Sequence, residues 1–266
     1  MIKIEKKVIF YNNSSLYYYI SPWDTDIFGY KVLNTDKLII TEDSVQDVIF
    51  IIEELENYSK KEDVKVIAWK TEATNSNLIS LLQDKGYKYI EISVVPYINP
   101  QLIDEEKYKS YCFTNVRRAE KRDIKELKKI ARISFINDRF HKDSNFDNEK
   151  ADERYSCWVE NSFKDGEEIY TIIYENKIAG FFILKTYHEE KYAAMKLGCV
   201  SPEYQGKKLG LNINAEIILN LRKEGINLFD SPISISNLGI FNLYVSMGFK
   251  FKDQKICFHK WMEKKL

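Results

Sequence analysis

A mixed α/β fold, with a central sheet flanked by helices, follows from three features of the sequence. Residues 169–200 hold three strand-like runs, IYTIIYE, KIAGFFILKTY and KYAAMKLGCV, parted by the short turns ENK and HEE. Such spacing reads as an antiparallel meander. The meander runs through VSPEYQGKKLGLN (200–212) into a helical pattern at about 209–223, and a strand–helix–strand sequence closes the chain. Finally, the sequence echoes itself: TNSNLISLLQDKGYKY (74–89) aligns with SNLGIFNLYVSMGFKF (236–251) at a constant offset of 162. That offset pairs Asn75 with Asn237, Gly86 with Gly248 and Tyr87 with Phe249.

The elements follow in order. SLYYYIS opens a β-rich start, and Pro22-Trp23-Asp24 reads as a turn. Residues 44–59 space Val45, Val48, Ile51, Ile52 and Leu55 as one helical face, with Ser44 as N-cap. VKVIAW (64–69) is a buried strand, 77–85 a helix stopped by Gly86, and YKYIEISVVPYI a strand. Asn99-Pro100 starts a polar stretch that marks a domain boundary, giving domains 1–110 and 111–266. Past it, NVRRAEKRDIKELKKIARISF carries Ile124, Leu127, Ile130 and Ala131 at helical spacing, and 148–163 is a second helix ending near Asp165-Gly166. After the meander and its helix come the strand INLFDSPISI, a helix at about 238–247, and the strand GFKFKDQKICFHKW.

Composition narrows the function. Forty basic residues balance forty acidic ones, which argues against bulk nucleic-acid binding. The 44% hydrophobic content suffices for a real core. Cys112, Cys157, Cys199 and Cys257 are scattered, without a CxxC or cysteine–histidine spacing, so neither a zinc site nor a disulfide framework is indicated. No metal is implied. MIKIEKKVIFYNNSS has no apolar core of a signal peptide and no run reaches membrane-spanning length, so a soluble cytoplasmic protein is expected. His141, His188 and His259 each read as a surface or structural histidine.

The loop at 205–210 has an anion-binding chemistry. A strand–loop–helix with Gly206 and Gly210 offers unpaired backbone N–H groups at a helix start, where the helix dipole also favours phosphate. Gln205 can orient the loop, and Lys207 and Lys208 add charge. The plainer reading makes it a polar turn in which the lysines are solvated and Gly210 aids helix packing. It is neither a Walker loop, lacking the lysine–Ser/Thr pair, nor a Rossmann fingerprint, since a meander precedes it.

Together these residues resemble the GNAT (GCN5-related) N-acetyltransferase superfamily. Its motif, Q/R-x-x-G-x-G/A, corresponds to Gln205-Gly206-Lys207-Lys208-Leu209-Gly210, with Lys208 in place of the central glycine. A second motif, an asparagine after a strand and then a helix with tyrosine and Gly-Phe, matches Asn237, Tyr244 and Gly248-Phe249. The resemblance implies a complete GNAT domain preceded by a smaller, truncated GNAT-like one. PWDTDIFGYKV and RFHKDSNFDNEKADERYSCWVENS (139–162) extend it towards the dTDP-fucosamine (dTDP-4-amino-4,6-dideoxygalactose) acetyltransferase group. That group acetylates the amino group of a nucleotide-linked deoxysugar for surface polysaccharide, and commonly dimerises.

The resemblance also assigns roles. Acetyl-CoA would be the co-substrate, its pyrophosphate on the N–H groups of Gln205, Gly206, Lys207, Lys208, Leu209 and Gly210. The exposed strand edge Gly198-Cys199-Val200 would pair with the pantetheine arm, and the N–H near Val200 would polarise the thioester carbonyl. Asn237 would bond the pantetheine or fix the splay of the strands, and Tyr244 would protonate the departing thiolate. No general base stands out. A protein N-terminus, an amino acid or an aminoglycoside is the alternative acceptor, and a non-catalytic CoA-binding protein the alternative class. Lys208 is expected on the first helical turn, pointing outward at negative φ; a positive φ would mean strain and would overturn this account of the lysine.

Overall fold

The computed structural model describes residues 4–40 and 44–262; residues 1–3 of the N-terminal stretch and 263–266 of the expected second domain lie outside these. In chain order the elements are β1 (Lys7–Tyr11), β2 (Ser14–Ile20), α1 (Pro22–Phe28), β3 (Lys31–Ile39), α2 (Val45–Lys61), β4 (Val64–Glu72), α3 (Ser76–Asp84) and β5 (Lys88–Ile98). Then come α4 (Glu105–Lys109), β6 (Asn115–Arg118), α5 (Ile124–Ser134), α6 (Arg139–Lys142), α7 (Asn148–Lys164), β7 (Glu168–Tyr174), β8 (Lys177–Tyr187) and β9 (Tyr192–Val200). The last are α8 (Leu209–Lys223), β10 (Leu228–Asp230), β11 (Ile233–Ser234), α9 (Leu238–Met247) and β12 (Lys250–Trp261).

Two compact units divide these elements, and they interleave. One holds Met1–Ser93, Arg139–Ala151 and Gln254–Leu266; the other holds Val94–Asp138 and Asp152–Asp253. This differs from a single cut at 110/111. A linear reading places a boundary at a composition shift and has no way to see that β5 and β12 each start in one unit and finish in the other.

In the first unit β1, β2, β3, β4 and the end of β12 lie side by side. Only β3 and β4 run parallel. One face packs Leu16, Leu33, Ile67, Trp69 and Phe258 against Ile51, Ile52 and Leu55 of α2 and Leu82 of α3. The opposite face carries Val32, Val66 and Trp261 under Phe28, Phe140 and Phe146. The expected turn at Pro22-Trp23-Asp24 is in fact helix α1. Its start and stop were both written in the sequence: Ser21 accepts from the Asp24 N–H, Pro22 takes the first helical position, and Gly29 ends it at φ +79°.

The second unit orders its strands β5, β10, β9, β8, β7, β6, and only β9 and β10 are parallel. The antiparallel meander is β7–β8–β9, as its turns predict. Helices α8 and α9 cover one face through Ile213, Ile217, Tyr244 and Met247; α5 and α7 cover the other through Leu127, Ile130, Tyr155 and Val159. Two expectations are corrected. NVRR is strand β6, paired with β7, and not the start of a helix. INLFDSPISI is broken into β10 and β11 by Pro232, which has no N–H to continue a ladder.

The 162-residue repeat is structural. Asn75 and Asn237 both cap a helix, at φ/ψ of −85°/72° and −83°/75°, each accepting from the N–H three residues on. Gly86 and Gly248 close those helices at φ +82° and +85°. Tyr87 N–H then reaches Leu82 O at 2.9 Å, and Phe249 N–H reaches Tyr244 O at 3.0 Å.

Besides the packing of Phe140 and Phe146, one carboxylate ties segment 139–151 to the first sheet. Asp143, 6% exposed, accepts from His259 Nδ1 and Trp261 Nε1 at 2.8 Å each, and from the Asn145 N–H and Nδ2. Burial opposes its charge, yet these donors hold its pKa down at about 2. Burial likewise opposes a charged His259, but Asp143 and Cys257 outweigh it and raise the histidine's pKa. Asp143→Ala leaves buried donors unpaired and should cost on the order of 3 kcal/mol, read as a lower unfolding free energy in urea. The signs of the two shifts set a pH window. The aspartate contribution is present above its unfolded pKa of ~3.9 and fades as pH falls towards the folded value; the histidine contribution is full below ~6.5 and fades as pH rises through the raised folded value. Thermal midpoints should fall on both sides of that window, and Asp143→Asn should flatten the profile. An unchanged profile would remove the pair from the stability of this unit.

Candidate active site

The site is built around a parting of strands. β9 and β10 share a parallel ladder of Tyr192–Leu228, Ala193–Phe229 and Ala194–Asp230, and there it ends. β9 runs on to Val200, held on its other side by β8. Beyond Ala194, among the described residues, no strand pairs with the remaining edge of β9. Ser201 N–H turns to Ala179 O on β8 at 2.8 Å. Backbone groups alternate along a strand, so the N–H and C=O of Gly198 and Val200 point to the open edge.

Side chains at that edge are set by packing. A Cβ on Gly198 would lie 2.5 Å from the Phe182 ring, and one on Gly180 would lie 2.4 Å from Cys199 O. Both glycines let β8 and β9 keep their register beside large neighbours. Burial pushes the Cys199 thiol up to about 12, which disfavours the thiolate a nucleophile would need.

Tyr244 lies inside the fork. It is 0% exposed on α9, and its hydroxyl donates to Ser231 Oγ at 2.8 Å and approaches Met195 Sδ at 3.9 Å. Met195 and Ser231 are the first residues past the last rung on β9 and β10 respectively. Burial raises the phenol's pKa well above its ordinary value, with the Ser231 hydrogen bond opposing, so it stays protonated at neutral pH. Ser231 carried no sequence signal beyond its place before Pro232. Asn237 caps α9, its Oδ1 accepting from Ile240 N–H at 3.3 Å. The structure thus gives it a definite local task alongside any role towards a ligand.

The loop joins this fork to α8. Gln205, Gly206, Lys207 and Lys208 are exposed, and Leu209 is buried and anchors the helix start. Lys208 accepts the Leu211 and Asn212 N–H groups through its carbonyl. Among the described residues nothing accepts the N–H groups of 206–210. Gly206 has φ +80°. Lys208 has φ +59°, which overturns the expected negative value: it is the residue before the helix, in the left-handed region, and not part of the first turn. A glycine suits that conformation, and the lysine holds it at a cost of about 1 kcal/mol. Lys207 is not simply solvated; its ammonium lies 4.8 Å from the Tyr174 ring and 5.4 Å from the Tyr204 ring. At Gly210 a Cβ would come 3.1 Å from Leu243 Cδ1, so this glycine serves the approach of α8 to α9.

All four cysteines are free, and among the described residues no cluster of His, Cys, Asp and Glu could hold a metal ion. No helix among them is long and apolar enough to cross a membrane.

Comparison with known proteins finds chains of similar fold. Residues 130–249 match the model of the Acetyltransferase (GNAT) family. The spore coat polysaccharide biosynthesis protein SpsD of Bacillus subtilis (strain 168) is 19% identical over 247 residues, 92% of this chain and 83% of that one. Two solved structures share the fold. One is a tandem GNAT protein from the clavulanic acid biosynthesis pathway (TM-score 0.63, 11% identity, 95% of this chain and 80% of that one). The other is a GCN5-related N-acetyltransferase from Sphaerobacter thermophilus (TM-score 0.67, 12% identity, 95% and 82%). Over residues 130–249 the chain is thus similar to the GNAT acetyltransferases, a family that uses acetyl-CoA as donor.

Proposed function

We propose that the chain transfers acetyl from acetyl-CoA to the amino group of a nucleotide-linked amino-deoxysugar, in the cytoplasm, for surface polysaccharide. The fork itself carries the donor half of this reading: an open strand edge leads from the Tyr244 hydroxyl to a row of free N–H groups. The pantetheine arm would add to the edge of β9, its amides meeting the outward N–H and C=O of Gly198 and Val200. The Val200 N–H would stabilise the oxyanion that forms on the thioester carbonyl. The pyrophosphate would lie on the N–H groups of residues 206–210, at the positive end of α8. Tyr244 would give its proton to the leaving sulfur. Asn237 keeps Nδ2 available for a ligand carbonyl while Oδ1 caps its helix. The acceptor half is supported by the polysaccharide role in the name of SpsD and by the resemblance of 139–162 to sugar acetyltransferases.

Acetyl-CoA at a hundred times its Kd should stabilise the protein by about 2.7 kcal/mol, seen as a higher melting temperature. No shift would remove the donor site. CoA release should then appear with a nucleotide-linked amino sugar and not with peptides or aminoglycosides; turnover on peptides alone would refute the sugar. Tyr244→Phe should lower kcat about a hundredfold while acetyl-CoA affinity changes little. An unchanged kcat would take Tyr244 out of the mechanism. Lys208→Gly should raise stability by up to about 1 kcal/mol by relieving the left-handed lysine, with the loop's N–H groups left in place for the donor. Destabilisation by that change would show that the lysine side chain contributes more than its strain removes.

A further inference from the structure

Tyr244 and the donor groups account for the leaving sulfur. They leave the incoming amine without a receiver for its proton. The second unit offers one on the opposite face of the same fork. Successive residues of a strand face opposite ways. Ser231 turns to Tyr244, so Asp230 turns the other way, together with Tyr192 and Ala194 of β9 and Tyr97 of β5. Asp230 belongs to the last rung before the strands part.

Its surroundings are those of a seat for a cation. Asp230 is 7% exposed, and its Oδ1 accepts from the Tyr192 hydroxyl at 2.8 Å. Its Oδ2 faces Lys252 Nζ at 3.5 Å, too loose for a full hydrogen bond. That ammonium also lies 5.4 Å from the centre of the Tyr97 ring. A primary ammonium between a carboxylate and an aromatic face is therefore already present, supplied by a half-exposed lysine that can withdraw. Beside it the rings of Tyr187 and Tyr192 stack at 5.5 Å, a flat apolar surface suited to a sugar or base ring.

We infer that Asp230 binds the acceptor's ammonium in place of Lys252 and removes its proton, with Tyr192 as the positioning residue; this rests on the acetyltransferase reading proposed above. The ammonium gives one proton to the Asp230 carboxylate. Its nitrogen then bonds to the thioester carbonyl carbon, and the carbon–sulfur bond breaks. Sulfur takes the Tyr244 proton, the nitrogen's remaining surplus proton restores Tyr244, and Asp230 releases its proton to solvent. The two proton-handling groups thus face the reacting carbon from opposite sides of the sheet.

Asp230→Asn tests this with dTDP-4-amino-4,6-dideoxygalactose and with glucosamine as acceptors. The variant should keep the wild-type rise in melting temperature with acetyl-CoA, and lose at least a hundredfold in kcat/KM at pH 7. Its pH profile should change in kind. The wild type draws on the ammonium and should give a bell, whereas the variant needs free amine and should gain tenfold per pH unit up to the amine's own pKa. Tyr192→Phe, a milder change, should lower kcat/KM severalfold and leave the bell in place. Wild-type kcat/KM and profile in Asp230→Asn, a lost acetyl-CoA response in that variant, or no effect of Tyr192→Phe would each overturn the assignment. A wild-type protein that binds acetyl-CoA yet acetylates neither amine would instead refute the proposed function, and the role of Asp230 with it.

Discussion

The parting of β9 from β10 after the Ala194–Asp230 rung is the constraint on which the site depends. A parallel ladder ordinarily uses up the backbone groups of both strands. Here Pro232 stops β10 early while β9 continues, held by β8 through the close packing that Gly180 and Gly198 allow. One strand edge is left unpaired without its strand losing order. Tyr244 fits into the gap because its hydroxyl finds Ser231 there, and burial within the α8–α9 core fixes its ring. Beyond the same strand end, the loop turns through two positive-φ residues into α8. Fork, phenol and free N–H row are three consequences of one unfinished ladder.

The first unit shows the same ladder put to another use. Its parallel pair β3/β4 ends at Asn34–Ala68, and Ala68 is the counterpart of Asp230 at the 162-residue offset. The antiparallel register repeats as well: His259 lies opposite Ala68 as Tyr97 lies opposite Asp230. Past the last rung, however, the gap is bridged. Thr35 Oγ1 accepts the Lys70 N–H at 3.2 Å, and the partly buried Arg139 donates to Asn34 Oδ1 at 2.9 Å. Leu82 stands where Tyr244 would be, and His259 is taken by Asp143. Polar side chains that would be chemistry in one copy are fastening in the other.

Much of this was legible in the sequence, and the reasons are local. The meander was readable because its turns are short and its strands apolar. The helices at 76–84 and 238–247 were readable because Gly86 and Gly248 stop them in a left-handed conformation few other residues adopt, and because the repeat pairs one helix with the other. Tyr244 was legible through its spacing from Asn237 and Gly248. What failed was whatever depends on distant partners. Lys208 looked compatible with a helical turn because the backbone demand at that point is set by the whole loop. Helix α1 passed for a turn since its seven residues bury only Asp24 and Phe28, too few for a visible period. Asp230 and Ser231 were invisible because their meaning arises only where two strands separate.

The division of β5 and β12 between the units bears on how the protein is made. The first unit's sheet is completed by residues 255–261, which pair along β4 from Glu72 to Val66. During synthesis β4 emerges long before its neighbour does, and its edge waits unpaired while nearly two hundred further residues are added. Of the two units, the one whose strands emerge earlier is thus the later to close, and a chain that stops short of β12 leaves the older half, not the newer one, unfinished.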